Sequence, residues 1–234
     1  MHSPNLQNIT VLSTTECERV QNDVMALRLR WMDRHPTLPF HTLGAASYLD
    51  AVGESPAYAR LAREYNPLLK AHFSWLYDRV ASALAHALGA PTAHAEHLGL
   101  PGFHIFLADK AFEQPLASVH FDLQYLLHDW PSQEADLGDP ISFTLAIALP
   151  RHGGGLRSWD VSNDERRARA DKSPDELTRG RPLTHHAYKR GHMALHSGHL
   201  LHQIAPAVDL LPDDRRITLQ GHGVRVAGVW RLYW

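Results

Sequence analysis

The sequence predicts an α+β fold: a helical front packed on a jelly-roll or cupin-like barrel. Two changes in pattern and one number carry this expectation. Apolar residues recur at helical spacing up to about residue 90; after Pro91 they alternate with polar residues in short runs broken by Gly, Pro and Asp. A length of 234 residues suits one substantial core. The expected organisation is a single domain over 1–234, with 1–90 mainly helical and 91–234 forming the barrel, interrupted by a polar insertion near 162–182.

Taken in order, Asn8 to Leu12 has strand character, and Ser13-Thr14-Thr15-Glu16 offers capping residues for a helix running to about Asp33, closed by Pro36 and Pro39. Leu43 to Val52 reads as a short helix, and Ser55-Pro56 opens another through about Tyr65. Asn66-Pro67 then reads as cap and first turn of a new helix to Leu88. Its Leu68, Leu69, Phe73, Leu76, Val80, Leu84 and Leu88 form one apolar stripe for core packing, and Gly89 ends it. Nine strands follow: Phe103–Leu107, Leu116–Tyr125, Ile141–Leu149, Leu156–Val161, His185–Tyr188, His192–His196, His202–Ala205, Ile217–Gln220 and Val229–Tyr233. Asp164 to Pro182, dense in charge, is a solvated insertion; a lid over the barrel mouth is its functional reading. Trp230, Tyr233 and Trp234 read as structural anchors of the last strand, or as part of a subunit contact.

Composition narrows the partners. Lys and Arg number 23 against 25 Asp and Glu, a net charge of −2, so there is no electrostatic case for nucleic acid or a membrane surface. The expected partner is a small-molecule substrate, and oligomeric state stays open. One cysteine, Cys17, excludes an intrachain disulfide, and the N-terminus lacks the basic and apolar regions of a signal peptide; the expected compartment is the cytoplasm. The run Ile141 to Pro150 is too short to span a bilayer and reads as a buried strand.

Chemistry concentrates in Ser118-Val119-His120-Phe121-Asp122-Leu123-Gln124-Tyr125. On a strand, His120 and Asp122 would share a face and present an imidazole beside a carboxylate. A second histidine would complete the two-histidine, one-carboxylate set that suits non-haem Fe(II). Candidates lie in His196-Ser197-Gly198-His199-Leu200-Leu201-His202, of which His202 opens the next strand, with His199 as the alternative. His94-Ala95-Glu96 is a rival metal pair without an accompanying arginine strand. In Arg216-Ile217-Thr218-Leu219-Gln220, Arg216 and Thr218 share one face and the apolar residues the other. An Arg directed into a barrel is costly unless it meets an anion, and its planar fork suits a carboxylate.

His-x-Asp, a distal His, and Arg-x-Thr shortly after it together resemble the Fe(II)/2-oxoglutarate-dependent dioxygenase superfamily, the double-stranded β-helix oxygenases. The resemblance spans about Phe103 to Val224 and includes the glycine turn Gly153-Gly154-Gly155 before Leu156. It implies that His120, Asp122 and His202 are the catalytic metal ligands for Fe(II). It further implies that Arg216 and Thr218 hold the distal carboxylate of 2-oxoglutarate, and that O2 is the oxidant. The implied activity is hydroxylation of a small molecule, an amino acid derivative or a secondary metabolite, with release of succinate and CO2. Because Asp122 is present, no ligand position is left for a halide, which argues against halogenation.

Gln124, Arg157 and Trp159 are candidate substrate contacts, the first because it shares the face of His120 and Asp122, the other two because they share a face of the next strand but one. Tyr125, Tyr188, Arg190 and His222 rank below them. Two other readings stand beside the oxygenase: a cupin-type isomerase or hydrolase using Zn, Mn or Ni at the same triad, and a non-enzymatic jelly-roll module with a structural metal.

Overall fold

The computed structural model describes residues 6–51, 57–131 and 133–234. Strand β1 (Gln7–Thr10) leads into helix α1 (Thr14–Ala26) through a capping box: the Glu16 N–H donates to Ser13 Oγ (3.2 Å) and the Ser13 N–H donates to the Glu16 carboxylate (2.8 Å). The helix stops well short of Asp33. At its end the Val24 carbonyl accepts the Trp31 indole N–H at 3.0 Å. A 3-10 turn (Arg28–Arg30) follows, and Met32–Asp33 (β2) pairs with β3 (Phe40–Leu43). Of the expected helix from Leu43 to Val52 only α2 (Ser47–Asp50) forms, because Phe40–Leu43 is drawn into the sheet. The expected helix end at Val52 and the start at Ser55-Pro56 lie outside the described residues.

Helix α3 (Ala57–Leu88) runs straight through Asn66-Pro67, so the expected break there is absent. Instead of capping, Asn66 bridges the neighbouring loop, donating to the Leu98 carbonyl and accepting from the Leu100 N–H, both at 2.9 Å. The helix is irregular at Phe73 (φ −127°, ψ 17°), whose ring packs on Phe103 with centroids 4.8 Å apart. The predicted stripe is the core: Leu69, Phe73, Leu76, Val80 and Leu84 are fully buried.

The strand-rich part follows: β4 (Thr92–His94), β5 (Gly102–Leu107), β6 (Ala135–Ala148), β7 (Leu156–Trp159), β8 (Leu183–His186), β9 (His192–Ser197), β10 (Leu201–Ile204), β11 (Arg215–Val226) and β12 (Val229–Tyr233). Two short helices, α4 (Asn163–Ala168) and α5 (Pro174–Leu177), lie between β7 and β8. The larger sheet has the order β1-β9-β6-β11-β5-β3-β2, with β12 beside β11 and β4 parallel to β12. The smaller sheet is β10-β7-β8, antiparallel throughout. The fold is therefore mixed and β-rich, built on large antiparallel sheets. No described helix is long and apolar enough to cross a membrane.

Alternation along the central strands assigns the two faces of the larger sheet. Phe103 and Ile105, Ile141, Phe143 and Leu145, Met193 and Leu195, and Ile217 and Leu219 point into one core with α1 and α3. Their neighbours His104, Ser142, Thr144, His196, Arg216 and His222 line a cavity on the other face. Trp230, Tyr233 and Trp234 are buried within the chain itself, and Gly102 lies under the Trp234 ring, where a Cβ would come within 2.1 Å.

A buried ion pair ties the front to the sheet. Arg34 meets both Asp50 carboxylate oxygens (2.7 and 2.8 Å) and Thr42 Oγ1 (2.7 Å), and the same carboxylate accepts the Ala46 N–H at 2.9 Å. Removing one member leaves the other buried and unpaired. Asp50→Ala is therefore expected to lower stability by about 3–5 kcal/mol in urea unfolding, whereas removal of the exposed Arg30–Glu64 pair should cost less than about 1 kcal/mol.

Candidate active site

The strand expected over Leu116–Tyr125 does not form. Its backbone acceptors go to side chains: Gln203 Nε2 donates to the Ala117 carbonyl (2.6 Å) and His120 Nδ1 to the Ser118 carbonyl (2.9 Å), so no ladder propagates. One reciprocal bridge remains, His120 N–H to His202 O at 2.9 Å and His202 N–H to His120 O at 3.0 Å. After Asp122, whose N–H donates to the Gly198 carbonyl (2.8 Å), the chain enters a 3-10 turn over Gln124–Leu127.

That bridge sets the two imidazoles opposite each other, ring centroids 4.3 Å apart, with the Asp122 carboxylate between their tips. His120 Nε2 is 3.6 Å from Asp122 Oδ1 and His202 Nε2 is 3.6 Å from Asp122 Oδ2. One ligand atom from each of the three residues lies within 4.8 Å of the others, and among the described residues this is the one group of three or more so arranged. Both Nδ1 atoms face backbone carbonyls, Ser118 for His120 and Leu200 for His202 (2.9 Å each), so Nδ1 carries the proton in each ring. Both Nε2 lone pairs are thereby turned toward the carboxylate, the tautomer and orientation a metal requires. The donor set fits a divalent ion of the non-haem iron type, held on one side with the other open to the cavity.

His199, the alternative ligand, faces elsewhere and bonds the Tyr125 hydroxyl at 3.1 Å. His196 lines the cavity at 5.0 Å from the His202 ring, with its Nδ1 on the Ser197 carbonyl. His94 and Glu96 join no third ligand among the described residues.

The cavity, about 580 Å³, lies between the two sheets. Arg216 reaches it from β11 and is 6% exposed. Its Nε donates to the Gly154 carbonyl (3.1 Å) and Nη1 to Thr218 Oγ1 (3.4 Å), while Nη2 is buried with no partner. Gly153 and Gly154 hold the turn that supplies this carbonyl at φ +79° and +69°, and a Cβ on Gly153 would sit 2.3 Å from the Pro206 carbonyl. Phe106 and Tyr188 flank the guanidinium, 5.5 and 5.7 Å from its carbon. A buried guanidinium with a free N–H edge is an anion receptor. Thr218 does not itself line the cavity; its hydroxyl is engaged by Arg216 and Gln220, both at 3.4 Å.

Gln124 is buried beside the triad, its amide donating to Asp122 Oδ1 at 3.2 Å. Arg157 and Trp159 do not line the cavity: Leu156 is the β7 residue that does, and Arg157 and Trp159 alternate with the buried positions Leu156 and Ser158. No residue of 162–182 lines it either. From that segment Leu177, with the preceding Val161, packs behind the loop of His120 and Asp122 in a small core with Val119, Phe121 and Leu201. Residues that sequence reasoning passed over include Tyr48, His104, Ser142 and Thr144. The last two carried a signal, polar positions alternating through the apolar run Ile141–Leu149; Tyr48 carried none and is placed by α2, with its hydroxyl 2.6 Å from His104 Nε2.

Burial dominates the titration of the site. It pushes His202 down to about 3 despite the Asp122 charge, and His128 to about 4; it also lowers His104, His196 and His222. Burial by itself would raise the Asp122 carboxyl, but the imidazoles of His202, His222, His120 and His196 outweigh it and hold the group well below the carboxylate range. Folded-state histidine values below the unfolded value mean that the unfolded chain takes up protons first on acidification. The stability these residues confer is thus complete above the unfolded value and lost as pH falls toward the folded ones. The unfolding free energy of the metal-free protein is accordingly expected to fall between pH 7 and 5, by about 2 kcal/mol for each histidine that stays neutral, and its melting temperature with it; a flat calorimetric profile would contradict this.

No protein-family model matches the chain, and no curated protein matches it by sequence. Solved structures share its fold. An N-substituted L-amino acid dioxygenase from Burkholderia ambifaria AMMD aligns over 99% of this chain and 86% of its own, with a TM-score of 0.58 and 12% identity. An N-substituted L-amino acid dioxygenase from that organism in complex with alpha-KG aligns over 98% and 86%, with a TM-score of 0.55 and 13% identity. The non-heme alpha-ketoglutarate-dependent epimerase SnoN from nogalamycin biosynthesis aligns over 95% and 81%, with a TM-score of 0.52 and 15% identity.

Proposed function

We propose that the chain is an Fe(II)- and 2-oxoglutarate-dependent oxygenase on a double-stranded β-helix, acting on a small molecule. The observation that carries this reading is the presence, in one cavity, of a two-histidine, one-carboxylate set and a buried arginine with an unpartnered N–H edge. His120, Asp122 and His202 would hold the iron, and Arg216 the distal carboxylate of 2-oxoglutarate; Thr218 acts on Arg216, fixing its fork through the 3.4 Å bond. When bound, iron with 2-oxoglutarate and O2 supplies the oxidising power, the cosubstrate leaving as succinate and CO2.

The chain's own contributions are orientation and shelter. Ser118 and Leu200 carbonyls keep both ligand imidazoles in the Nε2-donor tautomer, Gln124 steadies the carboxylate, and Phe106 and Tyr188 shield the arginine from water. Hydroxylation is the proposed outcome, with Asp122 filling the third protein ligand position. A structural metal site would have no use for a buried arginine that keeps a free edge toward the cavity.

Protein reconstituted without oxygen with Fe(II) and 2-oxoglutarate, then exposed to O2, is expected to release succinate slowly even without substrate. Asp122→Ala should reduce this to background, and Arg216→Ala should raise the 2-oxoglutarate concentration needed by about 10- to 100-fold. Undiminished succinate release by the Asp122 variant would sink the assignment.

A further inference from the structure

Two cavity-lining side chains outside the metal set touch the triad itself, Gln124 through Asp122 and His196 through His202. Each is tied down by a partner of one fixed sense. A carboxylate only accepts, so the Gln124 amide turns Nε2 to Asp122 Oδ1 at 3.2 Å; the flipped amide would set acceptor against acceptor. A backbone carbonyl also only accepts, so the His196 proton sits on Nδ1, which meets the Ser197 carbonyl at 2.8 Å. Both residues are thereby left with a bare acceptor, Oε1 on Gln124 and Nε2 on His196.

Gln124 is 8% exposed and His196 2%. Gln124 Oε1 is buried without a hydrogen-bond partner among the described residues, and buried acceptors are rarely left unmatched. Strand register puts His196 on the cavity face: it pairs with Ser142 of β6, which pairs in turn with His222 of β11, and all three line the cavity in one row across the sheet. His222 is not fixed in the same way. Its Nδ1 meets Ser142 Oγ at 3.1 Å, a hydroxyl that can donate or accept, so its Nε2 adapts to either kind of partner. Arg216 is taken by the cosubstrate under the oxygenase reading, on which this inference rests.

We infer that Gln124 Oε1 and His196 Nε2 form an acceptor subsite beside the metal, and that the substrate presents an O–H or N–H donor to it. The substrate class is an alcohol or an amine whose polar group lies close to the carbon to be oxidised. A ketone, ether or carboxylate in that position would set acceptor against acceptor and leave both protein atoms unmatched.

A set of fragments with one ring body, all substituted at the benzylic carbon, tests this: indanol carries an O–H donor, aminoindane an N–H donor, and indanone an acceptor only. Each is titrated without oxygen into protein loaded with Mn(II) and saturating 2-oxoglutarate. Binding near the metal is read as paramagnetic broadening of the fragment's proton NMR lines. Indanol or aminoindane is expected to bind at least about tenfold more tightly than indanone, and the tighter of the two tells hydroxyl from amine. Gln124→Met and His196→Phe keep bulk and remove the acceptor, and each should narrow the preference by about threefold or more. Gln114→Met, at an exposed lining position, should leave it intact. Indanone binding as tightly as both donors, no broadening of any fragment, or a preference that survives both Gln124→Met and His196→Phe would overturn the inference. So would nitrogen NMR of the Zn(II)-loaded protein that finds the His196 proton on Nε2. The wild-type comparison and that spectrum decide the matter even where a variant does not fold. Failure of the oxygenase reading shows separately, as absence of succinate with Fe(II), because the Mn(II) titration needs no turnover.

Discussion

A single reciprocal backbone bridge between His120 and His202 holds the site together, its two hydrogen bonds 2.9 and 3.0 Å long. The segment carrying His120 and Asp122 belongs to no regular strand, so this bridge, with the bond from Asp122 N–H to Gly198 O, registers it against β10. Register fixes which imidazole faces which, and the carboxylate falls between them at 3.6 Å from each. The small core of Val119, Phe121, Val161, Leu177 and Leu201 clamps the same loop from behind, which gives the charged insertion a structural task. Val119 and Phe121 thus pack in that core, on either side of His120 in sequence.

The second constraint is the two-sidedness of β11. Ile217 and Leu219 are fully buried against α1 and α3, so Arg216 is committed to the other face whatever the local cost. That cost is contained by the Gly154 carbonyl, Thr218 and two flanking rings, which satisfy part of the fork and leave one edge. A slip of one residue would place the arginine in the apolar core and an isoleucine over the metal loop. Sheet register and site chemistry are therefore one fact seen from two sides.

Electrostatics follows from the same burial. A carboxylate ringed by imidazoles stays ionised while burial keeps the deeper rings neutral, the protonation pattern that metal ligands require.

The sequence by itself determined the features that depend on neighbours in the chain. The capping box at Ser13, the stripe from Leu69 to Leu84, the alternation in Ile141–Leu149 and Arg216–Gln220, and the His-x-Asp spacing are local, and local sterics and periodicity suffice to read them. Tertiary structure decided what depends on distant partners. Asn66-Pro67 reads as a helix start, but Asn66 spends its side chain on Leu98 and Leu100 and the helix continues. Leu116–Tyr125 reads as a strand, but Gln203 and His120 take its carbonyls. Arg157 and Trp159 stand out in sequence as candidate substrate contacts, but of β7 it is Leu156 that lines the cavity. The choice of His202 over His199, and the recruitment of Tyr48, rest on contacts between residues far apart in the chain, and no local pattern encodes which of two nearby imidazoles a distant carboxylate will meet.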